Sequence, residues 1–216
     1  MTTQTNGPPG TGRIETFVDG VVAILITIMV LELKLPGEAF SQGRVAAVIT
    51  EFGPRLAVYA LSFVVIAIML LNQHMLMRAA PYATNSLYWW NANLMFWMSL
   101  IPLSTAVVGD APREPLAVAF YGAVLTANGV SFTLLHRCAA SLGAADGRLE
   151  DIHRVTIKKD WFFTTLYAAS IPLAFVSVYL SMAIFLINPA AYFFPEFVPW
   201  PRSWQPPEPP VRRIRR

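Results

Sequence analysis

The chain has 216 residues, of which 55% are hydrophobic and only 13% charged, and its formal net charge is +3. Soluble domains carry about 25% charged residues, so this composition excludes an ordinary soluble domain and is typical of an integral membrane protein. Cys138 is the only cysteine, which excludes an internal disulfide and a cysteine-based metal site.

The N-terminal part predicts one membrane-spanning helix after a disordered start. Residues 1–12 are polar and rich in Gly and Pro, and no basic stretch leads into an apolar core, so they do not resemble a cleavable signal peptide. Residues 20–31 carry no charge, only Asp19 interrupts the run back to Thr16, and residues 16–35 are long enough for one span. Twenty residues at about 1.5 Å each cross a hydrocarbon core of about 30 Å.

One face of this helix carries a stripe of large apolar side chains. Ile24, Ile28, Leu31 and Leu35 are spaced i, i+4, i+7 and i+11, and Thr27 lies beside them. On periodicity alone, the stripe is compatible with lipid contact or ordinary helix packing.

A carboxylate lies near the start of the same helix. Asp19 follows Arg13 and Glu15, and a carboxylate at a membrane helix end is costly unless it faces protein or water. It needs either a charged or polar partner or the first-turn amides of its own helix.

Five further helices are predicted, with turns between them. Pro36-Gly37 ends the first helix, residues 38–43 form a loop, and residues 144–159 are the most polar internal segment. An uncharged run over residues 161–195 is too long for one helix, and Pro172 and Pro189 within it predict kinks. The predicted helices cover residues 45–77, 87–108, 115–135, 160–179 and 182–194.

Six spans place both termini on the same side, and the basic residues indicate which side. Twelve Lys and Arg residues lie on the side of the termini and four on the other. The positive-inside rule therefore predicts cytoplasmic termini. The first set is Arg13, Arg78, Arg137, Arg148, Arg154, Lys158, Lys159, Arg202, Arg212, Arg213, Arg215 and Arg216, and the second is Lys34, Arg44, Arg55 and Arg113.

The C-terminal tail, residues 196–216, is Pro-rich and basic, and we expect it to be disordered. Its arginines are either solvated or in contact with anionic lipid, and no nucleic-acid role is predicted.

The first helix resembles that of the transmembrane protein 175 family. The matching residues are Arg13-x3-Phe17-Val18-Asp19, then Ala23-Ile24, Thr27-Ile28 and Leu31-Glu32-Leu33. The family pattern has Ser where this chain has Val18, which removes a hydroxyl from the polar cluster.

The resemblance continues through the second and third helices, about 90 residues in all. Leu70 stands where the family commonly has Trp, Gln73 where it has the first His of a pair, and Leu103 where it has Phe. The matching stretches are Tyr59-x2-Ser62-Phe63, then Gln73-His74, then Asn93-Leu94-Met95-Phe96 and Pro102-Leu103-Ser104-Thr105.

The resemblance implies a potassium-permeable channel. Bacterial members with one six-helix repeat per chain form tetramers, so a homotetramer is expected, in the bacterial inner membrane and in contact with lipid. The first helix lines the pore in this family. If the family's constriction is assigned to the matching positions of this sequence, it falls on Ile24, with Ile28 and Leu31 below it and the Thr27 hydroxyl near the ions. A ring of four Ile24 side chains can gate by dewetting but supplies no oxygens to replace a hydration shell.

The remaining motif residues are expected to brace the pore helix. We expect Arg13, Phe17 and Asp19 to form a structural cluster, with Arg13 paired to Asp19, and to meet His74 and Asn93 where the first three helices join. Alternatively, Asp19 pairs only within its own helix. His74 either senses pH, since its unperturbed pKa is about 6.5, or serves as a hydrogen-bonding residue at a helix end.

The prediction is therefore an all-α integral membrane protein with a six-helix channel domain at residues 13–195, permeant K⁺ and no cofactor or metal. A secondary transporter is the alternative, because the prolines could break the last two helices. An enzyme is not expected: the histidines at 74, 136 and 153 lack an obvious carboxylate partner at ligand spacing in the sequence, and Cys138 near His136 is only a weak nucleophile candidate.

Overall fold

The part of the chain that the structure describes folds into six helices. A computed structural model describes residues 10–33, 45–142 and 147–193, and every regular element in these ranges is an α-helix. This confirms the predicted fold class. The predicted loop at residues 38–43, residues 1–9 and the tail at 196–216 lie outside the described residues. The helices are α1 (Gly12–Leu31), α2 (Val45–Ala79), α3 (Asn85–Ser99 and Ile101–Asp110, interrupted at Leu100), α4 (Pro115–Leu142), α5 (Gly147–Ala174) and α6 (Val178–Phe193).

Four of the described helices are long and apolar enough to cross a membrane. These spans are Gly12–Leu31, Phe52–Ala79, Asn85–Asp110 and Pro115–Leu142. Each has at least 20 residues, which at about 1.5 Å per residue matches a hydrocarbon core of about 30 Å. The apolar part of α5 and the whole of α6 are shorter than this.

The predicted boundary between the last two helices is wrong. We expected helices at 160–179 and 182–194, whereas α5 ends at Ala174 and α6 begins at Val178. The amides of Phe175 and Ser177 close the turn on the carbonyls of Pro172 and Leu173. The sequence hides this turn because Phe175 and Val176 continue the apolar run through it. At the other end, α5 begins at Gly147, inside the polar segment.

The start of α3 is set by a side-chain cap. Thr84 has an extended backbone, and its hydroxyl accepts a hydrogen bond of 3.2 Å from the Leu87 amide. A Thr cap satisfies an amide that has no partner within the helix. The helix therefore begins at Asn85, two residues before the predicted start.

The helices enclose two buried apolar clusters. The first joins α1, α2, α3 and α4, and it includes Val18, Leu25, Met29 and Ile101. The second joins α2 and α4 with α5, α6 and the end of α3, and Tyr121, Tyr167 and Phe185 are its large members. Because α1 contributes only to the first cluster, α1 lies at one edge of the helix bundle.

Two glycines allow α4 and α5 to pack closely. A Cβ atom on Gly122 would lie 2.6 Å from Ser170 Oγ, and one on Gly129 would lie 2.5 Å from Thr164 Oγ1. The two glycines are seven residues apart and so lie on one face of α4. Small residues at such positions let helix backbones approach each other within a membrane.

Replacing Gly129 with Ala should destabilise the protein by about 1–3 kcal/mol, because the added methyl group overpacks the contact with Thr164. Thr164 is β-branched, and its Cβ and Cγ2 also lie within 3.3 Å of the new atom, so rotation of its side chain gives no relief. Gly53→Ala is the matched control, since nothing lies within 4 Å of its added Cβ. Thermal unfolding in detergent should give a lower midpoint for Gly129→Ala alone. Equal midpoints for the two variants would contradict the close contact.

Candidate functional site

Helix α1 has one buried face and one exposed face. Its buried side chains are Ile14, Val18, Val22, Leu25 and Met29, which pack against α2 and α3. The predicted constriction residues lie on the other side: Ile24 is 58% exposed, Ile28 43% and Leu31 76%. Leu35, the last residue of the stripe, lies outside the described residues. The stripe therefore does not pack into the core of its own chain.

The Thr27 hydroxyl is bonded to its own helix. Its Oγ1 lies 3.1 Å from the carbonyl oxygen of Ala23 and 2.9 Å from that of Ile24. A carbonyl oxygen only accepts, so the single hydroxyl proton of Thr27 is directed toward the backbone. The lone pairs of Oγ1 then remain available on the exposed face of α1, beside Ile24 and Ile28.

Asp19 meets His74 on α2. The carboxylate Oδ1 of Asp19 lies 2.9 Å from Nε2 of His74, with the Asp19 side chain 56% exposed. This confirms the predicted contact between the first two helices, and the alternative that Asp19 pairs only within α1 is wrong. The contact fixes the polar end of α1 against α2.

The predicted pairing of Arg13 with Asp19 is wrong within the chain. Arg13 is exposed, and no ion pair of Arg13 occurs in the part of the chain that the structure describes. The two residues are six positions apart, which places them about 120° apart around the helix axis at 3.6 residues per turn. Phe17 is likewise about half exposed rather than packed in the core.

The predicted meeting of Asn93 with the Asp19 cluster is also wrong. Asn93 Nδ2 donates to Ser131 Oγ of α4 at 2.8 Å. Its neighbour Asn91 points almost the opposite way and accepts a bond of 3.0 Å from Gln73 Nε2. Gln73 and Asn91 are both buried. Gln73, which stands where the family has a His, therefore still supplies a polar link between α2 and α3.

The surroundings of Val18 suit its departure from the Ser of the family pattern. Its side chain is fully buried in the cluster shared with α2 and α3. A buried hydroxyl would need a hydrogen-bond partner, whereas a valine at this position needs only apolar contacts. The polar contacts of α1 in this chain are therefore made by Asp19 and not by its neighbour.

A second histidine also has a carboxylate partner, which was not predicted. The buried His136 of α4 has Nδ1 only 2.7 Å from Asp160 Oδ2 of α5. The 24-residue separation gives no sequence signal for this pair. The side chain at position 153 lies outside the description. No group of three potential metal ligands occurs among the described residues.

Three comparisons relate the chain to known proteins. Residues 13–102 match the family model described as endosomal/lysosomal potassium channel TMEM175. A potassium channel of Chryseobacterium sp. (strain P1-3) is 31% identical over 186 residues, covering 86% of this chain and 93% of the relative. A potassium channel of Chamaesiphon minutus is 31% identical over 190 residues, covering 85% and 93%.

A solved structure agrees with these sequence matches. The crystal structure of a lysosomal potassium-selective channel TMEM175 homolog from Chamaesiphon minutus matches with a TM-score of 0.75 at 28% identity. The match covers 86% of this chain and 97% of that one. The similarity thus extends through all six helices, beyond the three whose motifs are recognisable. From its sequence and its fold, the chain belongs to the TMEM175 family, a family of potassium channels and not of enzymes.

Proposed function

We propose that the chain is a potassium channel in which four copies surround a central pore lined by α1. The membership of the family supports the conduction of K⁺. The single observation that supports α1 as the pore helix is its exposed stripe. Ile24, Ile28 and Leu31 point away from their own chain, although α1 packs firmly through its opposite face.

The position of α1 at the edge of the bundle suits this arrangement. A helix in the middle of a bundle has no face left for other subunits, whereas α1, among the described helices, packs mainly against α2 and α3. Four copies related by a closed rotation would bring the same α1 face to a common axis. In that arrangement, Ile24, Ile28 and Leu31 form successive apolar rings.

Such rings would constrict the pore without coordinating ions. Bulky apolar side chains gate by dewetting, so a small displacement of α1 changes whether water and ions enter. The only oxygen on this face between Ile24 and Leu31 is that of Thr27, whose proton is directed toward the backbone. Its lone pairs would meet a partly hydrated cation immediately below the first ring.

Replacing Ile24 with Asn should change K⁺ flux from proteoliposomes, because a polar side chain hydrates an apolar constriction. We expect a higher flux and a lower preference for K⁺ over Na⁺. Ile187→Asn is the control, since Ile187 is a comparably exposed isoleucine on α6. A fluorescent K⁺ indicator and ion substitution measure both quantities.

Equal flux in wild type and Ile24→Asn would contradict a constriction on this stripe. Equal changes in both asparagine variants would indicate a general effect of a polar residue on the helix surface. No flux from correctly inserted wild type, together with saturable counterflow, would favour the alternative of a secondary transporter.

Native mass spectrometry in detergent should find four chains, about four times 23.9 kDa. The reason is that the exposed stripe of α1 is covered by protein only when several copies share it. We expect the wild type to show no stable dimer. Ile24→Asn and Leu31→Asn change side chains on the proposed axis, so we expect neither variant to raise the tetramer fraction. A monomer as the main species would contradict the central pore.

Labelling of intact cells tests the proposed bacterial inner-membrane orientation with cytoplasmic termini. In a Cys138→Ser background, a membrane-impermeant maleimide should label Arg113→Cys, in the turn between α3 and α4, because the positive-inside rule places that turn outside. Gly10→Cys, next to α1, should be labelled only after the cells are opened. Labelling of Gly10→Cys in intact cells would contradict this orientation.

A further inference from the structure

The path of α3 changes at a single interrupted turn. The first segment ends at Ser99 and the second begins at Ile101. Pro102 has no amide proton, so it cannot make the bond that a continuous helix would give to the carbonyl of Met98. The amide of Leu100 turns back to the carbonyl of Trp97 at 3.2 Å, and Ser104 resumes the helix on Leu100. We call residues 97–105 the α3 break.

Helix α4 holds the first side of the α3 break. Asn128 is fully buried, and its Nδ2 donates to the carbonyl of Trp97 at 3.1 Å as well as to that of Val124 at 2.9 Å. An interrupted helix exposes carbonyls, and hydrocarbon offers them no partner. Asn128 therefore gives the Trp97 carbonyl a second donor, from α4, in addition to the Leu100 amide.

A chain of three buried hydroxyls holds the second side. Tyr121 of α4 lies 2.9 Å from Ser62 Oγ of α2, and Ser62 Oγ lies 2.7 Å from Thr105 Oγ1 of α3. Thr105 Oγ1 also lies 2.7 Å from the carbonyl oxygen of Ile101 within the break. Ser62 and Tyr121 are fully buried, and Thr105 is nearly so.

The Thr105 hydroxyl is the donor in this network, and Ser62 Oγ and the carbonyl oxygen of Ile101 both lie 2.7 Å from its Oγ1. Either hydroxyl can donate in the bond between Ser62 and Tyr121. In each arrangement the three hydroxyls join α2, α3 and α4 at one point.

The α3 break lies against the buried face of α1. Met98 and Ile101 belong to the same apolar cluster as Val22, Leu25 and Met29 of α1. The second segment of α3 contacts α1 directly. The opposite face of α1 carries Ile24 and Ile28. Only the thickness of α1 therefore separates Ile101 from the stripe.

We propose that Tyr121, Ser62 and Thr105 are positioning residues for permeation: their hydroxyl chain fixes the α3 break and so sets where α1 holds the Ile24 and Ile28 rings. This inference rests on the proposed function, because it assigns the network a role only if α1 lines the pore. None of the three residues reaches the exposed face of α1. They act on permeation through Ile101 and the buried residues of α1.

The test removes hydroxyls while leaving the packing in place. Tyr121→Phe keeps the ring and its edge-to-face contact with Phe185, whose centroid is 5.0 Å away. Thr105→Val keeps the volume of the side chain, and Thr105→Ser restores the hydroxyl. Thr126→Val is the control, because among the described residues the Thr126 hydroxyl bonds the carbonyl of Gly122 in its own helix and no other helix.

The measurement is the K⁺ to Na⁺ flux ratio, together with the thermal midpoint. We expect Tyr121→Phe and Thr105→Val to lower the ratio by about two- to tenfold, the effect of one net hydrogen bond on an equilibrium. The double variant should go no further than the stronger single one, since both break the same chain. Thr105→Ser and Thr126→Val should keep the wild-type ratio.

Wild-type flux ratios in both hydroxyl-deleting variants would overturn the proposal, and so would a ratio that Thr105→Ser fails to restore. A spin label separates this failure from that of the proposed function. In a Cys138→Ser background, a label at Leu31→Cys, at the exposed end of α1, should show broader distances between subunits in Tyr121→Phe than in Thr126→Val. Unchanged distances would overturn the positioning role even if the wild type conducts K⁺. Broader distances in Tyr121→Phe, together with no K⁺ flux from the wild type, would contradict the proposed channel function but not the effect of the hydroxyl chain on the position of α1.

Discussion

The structure depends on the hydrogen bonds that polar side chains buried among apolar helices make with one another and with backbone carbonyls. Helix α3 contains asparagines, hydroxyl side chains and an interrupted backbone, none of which lipid can satisfy. Its neighbours supply the partners: Gln73 and Ser62 from α2, and Asn128 and Ser131 from α4. These bonds fix the order in which α2, α3 and α4 pack, because apolar contact by itself does not choose between neighbouring helix faces.

Helix α1 follows a different rule. It makes one short polar contact with the other described helices, between Asp19 and His74, and otherwise packs through small and medium apolar side chains on one face. Its other face remains exposed along most of its length. A helix held from one side can present its free side to other copies of the chain. Because α1 is held only through this one face, its position depends directly on the positions of α2 and α3.

The second half of the chain serves as support. Gly122 and Gly129 allow α4 to lie directly against α5, and His136 and Asp160 close the polar end of that contact. The second apolar cluster links these helices to α6 and to the end of α3. Through Tyr121, which belongs to this cluster and also begins the hydroxyl chain, the support reaches the first half of the chain.

The sequence by itself determined the membrane class, six helices and the family, because apolar length and motif spacing are local properties. It also predicted the contact of Asp19 with His74 from motif residues. The partners of Arg13 and Asn93 were predicted wrongly, since shared motifs do not reveal which way each side chain points around its helix. Only the tertiary structure decided the pairs Gln73–Asn91 and His136–Asp160, the turn after Ala174 and the hydroxyl chain at the α3 break. These depend on helix rotation and on contacts between distant residues, and neither property leaves a periodic signal in the sequence.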